Sequence, residues 1–346
     1  MCNCGWKFGM AVLGLLAVMH GPAQAEEVQF IDTHVHLEHL GSLSNFPAAA
    51  ETGLADMARK GISFSILMPP PQAPTNKLIY DFEAFLPFVK QHPGKFGLMG
   101  GGGSLNPMIQ RTDAGRVDEN DKARFRAKTE EILSAGALGF GEIAIVHFSL
   151  PQMGEHHPYE AAPADHPLLF LLADIAAEKG VPIDIHFDVS PEDRPLPDRL
   201  PASRNPGTLK ENLSAFERLL AHNRDAKIVW AHAGTDPGLM RTPALCRRLL
   251  TAHPNLYMSL RTGRGQPAPS GAMTPGGMLK EPWLALIRDF PDRFTIGSDQ
   301  FYPPFASGRR TPAEGLDTLR ALVDGLPPDL ARKVAYENAR RIYKLP

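Results

Sequence analysis

Short apolar runs recur between longer amphipathic stretches along most of this chain, and that alternation constrains its fold more than any other feature. Val28–Val35, Ile62–Met68, Phe96–Gly101 and Ala137–Ile145 read as strands, and Pro182–Phe187, Lys227–Ala231, Asn255–Leu260 and Arg293–Gly297 continue the series. Helical patterns over Ala48–Lys60, Asp121–Ser134, Leu168–Glu178, Leu209–Ala221, Pro243–Ala252, Lys280–Asp289 and Pro312–Val323 separate or follow them. Gly180 ends one of these helices as a C-terminal glycine. Eight strands alternating with helices predict an all-parallel α/β fold. In a chain of 346 residues that count and size match one closed (β/α)8 barrel, the TIM-barrel architecture, over residues 26–346. An open doubly wound sheet is the rival, but no Gly-x-Gly-x-x-Gly follows the first strand. The run Gly100–Gly103 comes too late and has the wrong spacing, so it reads as a tight turn or a close backbone approach.

The first 25 residues are excluded from the fold. Lys7 is their only Lys, Arg, Asp or Glu, an apolar run from Phe8 to Met19 follows it, and Ala23-Gln24-Ala25 closes the segment. That order describes a secretory signal peptide cleaved after Ala25, hence a periplasmic or secreted protein. The run is shorter than the ~20 apolar residues that cross a bilayer, so no stable membrane insertion is expected. Cys2 and Cys4 precede it and do not form a lipidation site. Cleavage leaves Cys246 as the lone cysteine, read as a core side chain because no thiol-activating motif surrounds it. The formal net charge is −2, or −3 without Lys7, which points to no nucleic-acid partner and leaves a small molecule as the expected substrate. Homo-oligomerisation is left open.

The chemistry-bearing residues fall at strand ends. Asp32-Thr33-His34-Val35-His36 closes the first strand, and residues two apart share one side of a strand, so His34 and His36 can present two imidazoles to one ion. Glu142 ends the fourth strand, His186 the fifth, His232 the sixth and Asp299 the eighth. In a closed barrel these ends ring one opening, so residues distant in sequence converge. For Glu142 a buried carboxylate bonded to backbone or to a lysine is the competing reading. Arg261 and Arg264 follow the seventh strand, where an arginine can grip a substrate carboxylate bidentately; a solvated loop charge is the alternative. Proline and glycine concentrate in Leu150–Pro167 and Gly263–Gly277, both between a strand and the next helix, where loops wall or cover a substrate. His39 reads as a surface loop residue; His147, His156, His157 and His166 sit in or beside the loop after Glu142 and read as surface residues, with one of them reaching substrate as the alternative. Trp230 lies two residues before His232, shares its face in a regular strand, and reads as core rather than pocket floor. Ser65 and Ser298 lack a His/Asp partner pattern, which argues against a serine hydrolase.

Taken in order, Phe30-Ile-Asp-Thr-His-Val-His, Ile183-Asp-Ile-His, Val229-Trp-Ala-His-Ala-Gly, Phe294-Thr-Ile-Gly-Ser-Asp and the ending Glu337-Asn-Ala-Arg-Arg-Ile-Tyr resemble the amidohydrolase superfamily, particularly its amidohydrolase-related branch. That branch includes dicarboxylate lactonases and nonoxidative decarboxylases such as aminocarboxymuconate semialdehyde decarboxylase. The resemblance implies that His34, His36 and Asp299 bind one divalent ion, with His186 completing a one-ion site and His232 polarising water or substrate. Glu142 sits in a Gly-Glu-Ile setting similar to that of the TatD-like deoxyribonuclease branch; as a bridge it would leave His186 and His232 to hold a second ion. Two ions are expected, with one as the alternative. Imidazole and carboxylate ligands suit zinc, with manganese second, and such ions activate water. Asp299 would take the water's proton and pass it to the leaving group, with His232 adding polarisation.

The function implied is a metal-dependent hydrolase of a small ester, lactone or amide. A nonoxidative decarboxylase is the first alternative, and a phosphodiesterase or TatD-like nuclease, which would need a basic surface, comes third. A noncatalytic metal- or solute-binding barrel is the reading from another class; retention of Asp299 beside all the histidines argues against it.

Overall fold

The computed structural model describes residues 1–3, 29–76, 78–150, 157–263, 269–307 and 313–345. All but the first three residues of the expected signal peptide, Cys4 included, lie outside the described residues, as do His156 and Arg264.

The strand positions are β1 (Phe30–Leu37), β2 (Ile62–Leu67), β3 (Phe96–Leu98, resuming as Gly100–Gly101), β4 (Phe140–Ala144), β5 (Pro182–His186), β6 (Lys227–Ala233), β7 (Leu256–Leu260) and β8 (Phe294–Ile296, resuming as Gln300–Tyr302). All pair in parallel, in the order β3-β2-β1-β8-β7-β6-β5-β4-β3. The two pieces of β3 close the ring. Phe96–Leu98 pairs with β2 and Gly100–Gly101 with β4, while between them the Met99 amide donates to Leu67 O at 2.9 Å. This is the (β/α)8 barrel expected from the alternation.

Both faces of such a sheet are covered, so its strands are buried along their length rather than on alternate residues, polar positions included. All eight residues of β1 are buried. The helices around it start and stop where local chemistry dictates. Proline stands in the first turn of Phe46–Lys60, Pro167–Lys179, Pro243–Ala252 and Glu281–Asp289, where its missing N–H costs nothing. Gly61 and Gly180 end two of these helices at φ 66°, the left-handed conformation that glycine adopts most readily. Cys246 is buried in the helix Pro243–Ala252, and burial pushes its thiol up to about 12, as befits a core side chain.

Two local departures from expectation matter. The helix expected from Leu209 begins at Leu213, because Thr208–Leu209 instead pairs antiparallel with Arg194–Pro195. After β4, Val146–His147 pairs antiparallel with Glu160–Ala161, so the loop there starts and ends as a ribbon folded against the barrel.

Inside the barrel, Ile31, Ile66, Met68, Met99 and Val229 pack against Ala339, Ile342 and Tyr343 of the last helix, Asn338–Tyr343. Asn338 fastens that helix by donating to Pro291 O at 2.8 Å and Phe294 O at 2.9 Å. No helix among the described residues is long and apolar enough to cross a membrane.

Candidate metal centre

Strand β1 runs to Leu37, so His34 and His36 both lie within it, fully buried, with their rings edge to face at 4.9 Å. Their Nε2 atoms are only 3.1 Å apart. The outer nitrogens settle which atom carries the proton. His36 Nδ1 lies 2.8 Å from Met68 O, which can only accept, so Nδ1 is the donor and Nε2 holds a lone pair. His34 Nδ1 lies 3.1 Å from Asp184 Oδ1, a charge contact off the line of a straight hydrogen bond, and the carboxylate favours the same tautomer. Two lone pairs therefore face each other across 3.1 Å, an arrangement that repels unless a cation or a proton lies between them.

Glu142 divides its carboxylate between two pairs of histidines. Oε1 is 3.1 Å from His186 Nδ1 and 3.1 Å from His232 Nε2. Oε2 is 3.3 Å from His36 Nε2 and 3.4 Å from His34 Nε2. Asp299 joins from the other side, with Oδ1 at 3.2 Å from His36 Nε2 and Oδ2 at 3.1 Å from the Arg261 guanidinium. His186 Nε2 faces Asp188 Oδ2 at 3.3 Å, so each ring nitrogen of His186 meets a carboxylate oxygen. The ligand atoms of three sets lie within 4.8 Å of one another: His34, His36 and Glu142; His34, His232 and Asp299; Glu142, His186 and His232. Every residue expected at the site is thus brought to one place, Arg261 included.

The electrostatics have one theme. Burial opposes charge on His34, but the Asp184 and Glu142 carboxylates outweigh it and hold the pKa well above the ordinary histidine value. His186 follows the same logic, lifted against its burial to about 9 by Asp188 and Glu142. Burial also opposes ionisation of Glu142, yet His34 and the hydrogen bonds from His186 and His232 keep it well below the usual carboxylate range. Asp299 is likewise lowered, against its burial, by Arg261 and His232. His232 differs: burial drives it down to about 3, so it is a neutral imidazole. The pocket concentrates ionised carboxylates in a dry setting and calls for positive charge. Converging imidazole lone pairs and carboxylate oxygens supply the donor set that zinc and related divalent ions take, so the residues present fit such an ion.

Two candidate ligands sit on unusual backbone. His232 has φ 64° and Asp299 φ 56°, left-handed values that cost a non-glycine residue about 1–3 kcal/mol and persist where surrounding structure enforces them. At Asp299 the enforcement is visible: its amide donates to His34 O at 2.9 Å, and the preceding Ser298 donates from N at 2.9 Å and from Oγ at 2.5 Å to Asp32. Gly297 lies so close that a Cβ there would fall 2.9 Å from His34 Cβ. At His232 the β6–β7 register shifts between Trp230 and Ala233. That bulge overturns the expectation that Trp230 shares the face of His232. Trp230 instead packs outward on Phe187 and Phe216 as core.

Other expectations need correction. His147 and His157 are not free surface residues: their ring centroids lie 4.0 Å apart at a tilt of 44°, and that of His147 lies 4.4 Å from His186, brought there by the ribbon of residues 146–147 and 160–161. His166 is buried too, but as a cap: Nδ1 accepts from Leu168 N at 3.1 Å and Nε2 bonds Thr112 O at 2.9 Å. His39 is a half-buried loop residue against Phe46 and Tyr80. Sequence reasoning missed Asp32, Asp184 and Asp188, which support the site from behind. A signal was present for two of them, since Asp184 and Asp188 flank His186 at a two-residue period, whereas an irregularity of β1 between Asp32 and Val35 breaks that period for Asp32.

Comparison with known proteins identifies the family. A family model described as amidohydrolase (Amidohydro_2) matches residues 113–345, more than half of the chain. No protein of curated function matches. Among solved structures, amidohydrolase 2 from Bifidobacterium longum subsp. infantis is similar at 16% identity and TM-score 0.45, covering 92% of this chain and 100% of its own. An amidohydrolase from Mycobacterium avium subsp. paratuberculosis K-10 is similar at 13% identity and TM-score 0.42, covering 87% of this chain and 76% of its own. A D-aminoacylase is similar at 12% identity and TM-score 0.40, covering 67% of this chain and 47% of its own. On the family match, the chain belongs to the amidohydrolase family.

Proposed function

We propose that this protein is a hydrolase acting on a small ester, lactone or amide with two divalent ions, zinc first and manganese second. The observation that carries the reading is the split of Glu142, with Oε1 facing His186 and His232 and Oε2 facing His34 and His36. His34, His36, Asp299 and Glu142 Oε2 would hold one ion, and His186, His232 and Glu142 Oε1 the other. When bound, such ions polarise a substrate oxygen and make water nucleophilic at neutral pH.

The side chains do the rest. Asp299 accepts a proton from the attacking water and returns it to the leaving oxygen or nitrogen, as a carboxylate ionised at neutral pH is able to do. His232, neutral through burial, contributes a lone pair rather than a proton. Arg261 is 39% exposed beside Asp299, where its planar fork can take an acidic group on the substrate. The leader pattern of the first 25 residues supports export.

A second reading, nonoxidative decarboxylation, draws on the same Arg261: a guanidinium beside Asp299 suits a carboxylated substrate. The test is a panel of esters, lactones and amides, run beside aromatic carboxylates with release of CO2 measured. Chelator-stripped protein is compared with protein reloaded with zinc or manganese. Metal-dependent hydrolysis supports the proposal; CO2 release without hydrolysis replaces it with the second reading; no turnover in either panel rejects both.

A further inference from the structure

Arg241 is buried to 1% exposure behind the site, and its guanidinium bonds to backbone carbonyls. Nη2 donates to Phe187 O at 2.7 Å and Nη1 to Ala231 O. Trp230 lies under it at 4.3 Å and donates from Nε1 to the same Phe187 O at 2.9 Å. Asp236 turns the chain to place it there, accepting from the backbone N–H groups of Gly238, Met240 and Arg241.

The two carbonyls are not arbitrary. Phe187 directly follows His186, and Ala231 directly precedes His232. The parallel ladder between β5 and β6 has its last pair at Ile185 and Trp230. Beyond that pair the ladder no longer fixes the register of the two strands, and on its other side β6 is already shifted by the bulge that leaves His232 at φ 64°. The guanidinium fork supplies the missing tie across that gap. The buried Asp236 and Asp188 carboxylates offset the charge of the guanidinium, while its fork is spent on the two carbonyls, where it fixes their separation.

We propose that Arg241 is a positioning residue that holds His186 and His232 at the spacing from which both can share one divalent ion with Glu142. It thereby sets the affinity of the second ion without touching it. His34, His36 and Asp299 lie on β1 and between the two pieces of β8, which Arg241 does not tie, so the first ion, which shares only Glu142 with the second, depends on it far less. This rests on the two-ion reading given above.

The experiment is calorimetric titration of Zn2+ into chelator-stripped wild type, Arg241→Met, Arg241→Lys and Trp230→Phe, with circular dichroism and Tm of each stripped protein as a check on folding. Wild type takes up two ions. Arg241→Met weakens the second by about 10–100-fold, the usual effect of removing a group that supports a ligand, and leaves the first within about 3-fold. Arg241→Lys, keeping the charge but reaching one carbonyl, recovers part of the loss. Trp230→Phe keeps an aromatic ring under the guanidinium, removes one bond to Phe187 O, and weakens the second ion by about 10-fold. If Arg241→Met does not fold, the lysine and phenylalanine variants carry the same comparison. Two ions at wild-type affinity in the variants that fold, or equal weakening of both ions, overturns the proposal. Fewer than two ions in wild type overturns the two-ion reading, and this inference with it.

Discussion

The inside of this barrel has two unlike parts built on the same strands. In one, Ile31, Ile66, Met68, Met99 and Val229 meet the last helix through Ala339, Ile342 and Tyr343, a dry apolar plug. In the other, only a few residues further along β1 and β6, His34, His36 and His232 crowd with Glu142, His186 and Asp299. The plug gains from being buried; the polar cluster loses, since it holds imidazole lone pairs 3.1 Å apart and several buried carboxylates. Stability and function are therefore separable along a strand, and damage to one part should leave a different signature from damage to the other.

The sharpest test of that separation is Asp299→Asn. With metal loaded, turnover should fall by about 10²–10⁴-fold, the usual worth of a positioned base, while the Tm of the stripped protein stays near wild type. A matching fall in Tm would mean that Asp299 is part of the scaffold. In the plug, Ile342→Ala should cost about 2–5 kcal/mol in denaturant unfolding while metal content per chain is unchanged; loss of metal would show the two parts to be coupled.

Stripping wild type with a chelator should lower stability by about 2.7 kcal/mol for each ion lost, relative to protein held at 100 times the dissociation constant of zinc. In Glu142→Gln, differential scanning should show most of that difference gone, because neither histidine pair keeps its shared carboxylate. The smallest effect belongs to the helix layer. His166→Ala removes a cap and should cost about 1 kcal/mol with no change in metal content, separating this histidine from those of the site.

Much of this was legible from strand ends. The period of two placed His34 and His36 on one side, and barrel closure brought Glu142, His186, His232 and Asp299 to them. What was not legible depended on breaks in that regularity. The bulge between Trp230 and Ala233 reversed the face of Trp230 relative to His232, and bulges leave no reliable mark in a single sequence. His147 and His157 read as loop residues because the ribbon that folds them against His186 is only two residues wide on each side. Arg241 carried no signal, since its partners are backbone carbonyls whose positions only the folded chain defines.

The most direct test of the central claim is metal content per chain, by elemental analysis of protein purified without added chelator or metal. About two divalent ions per chain is the result predicted by the proposed bridging role of Glu142 between two histidine pairs. One ion per chain, with no second taken up on adding zinc or manganese, would contradict the bridging role of Glu142, and none at all would contradict a metal centre here.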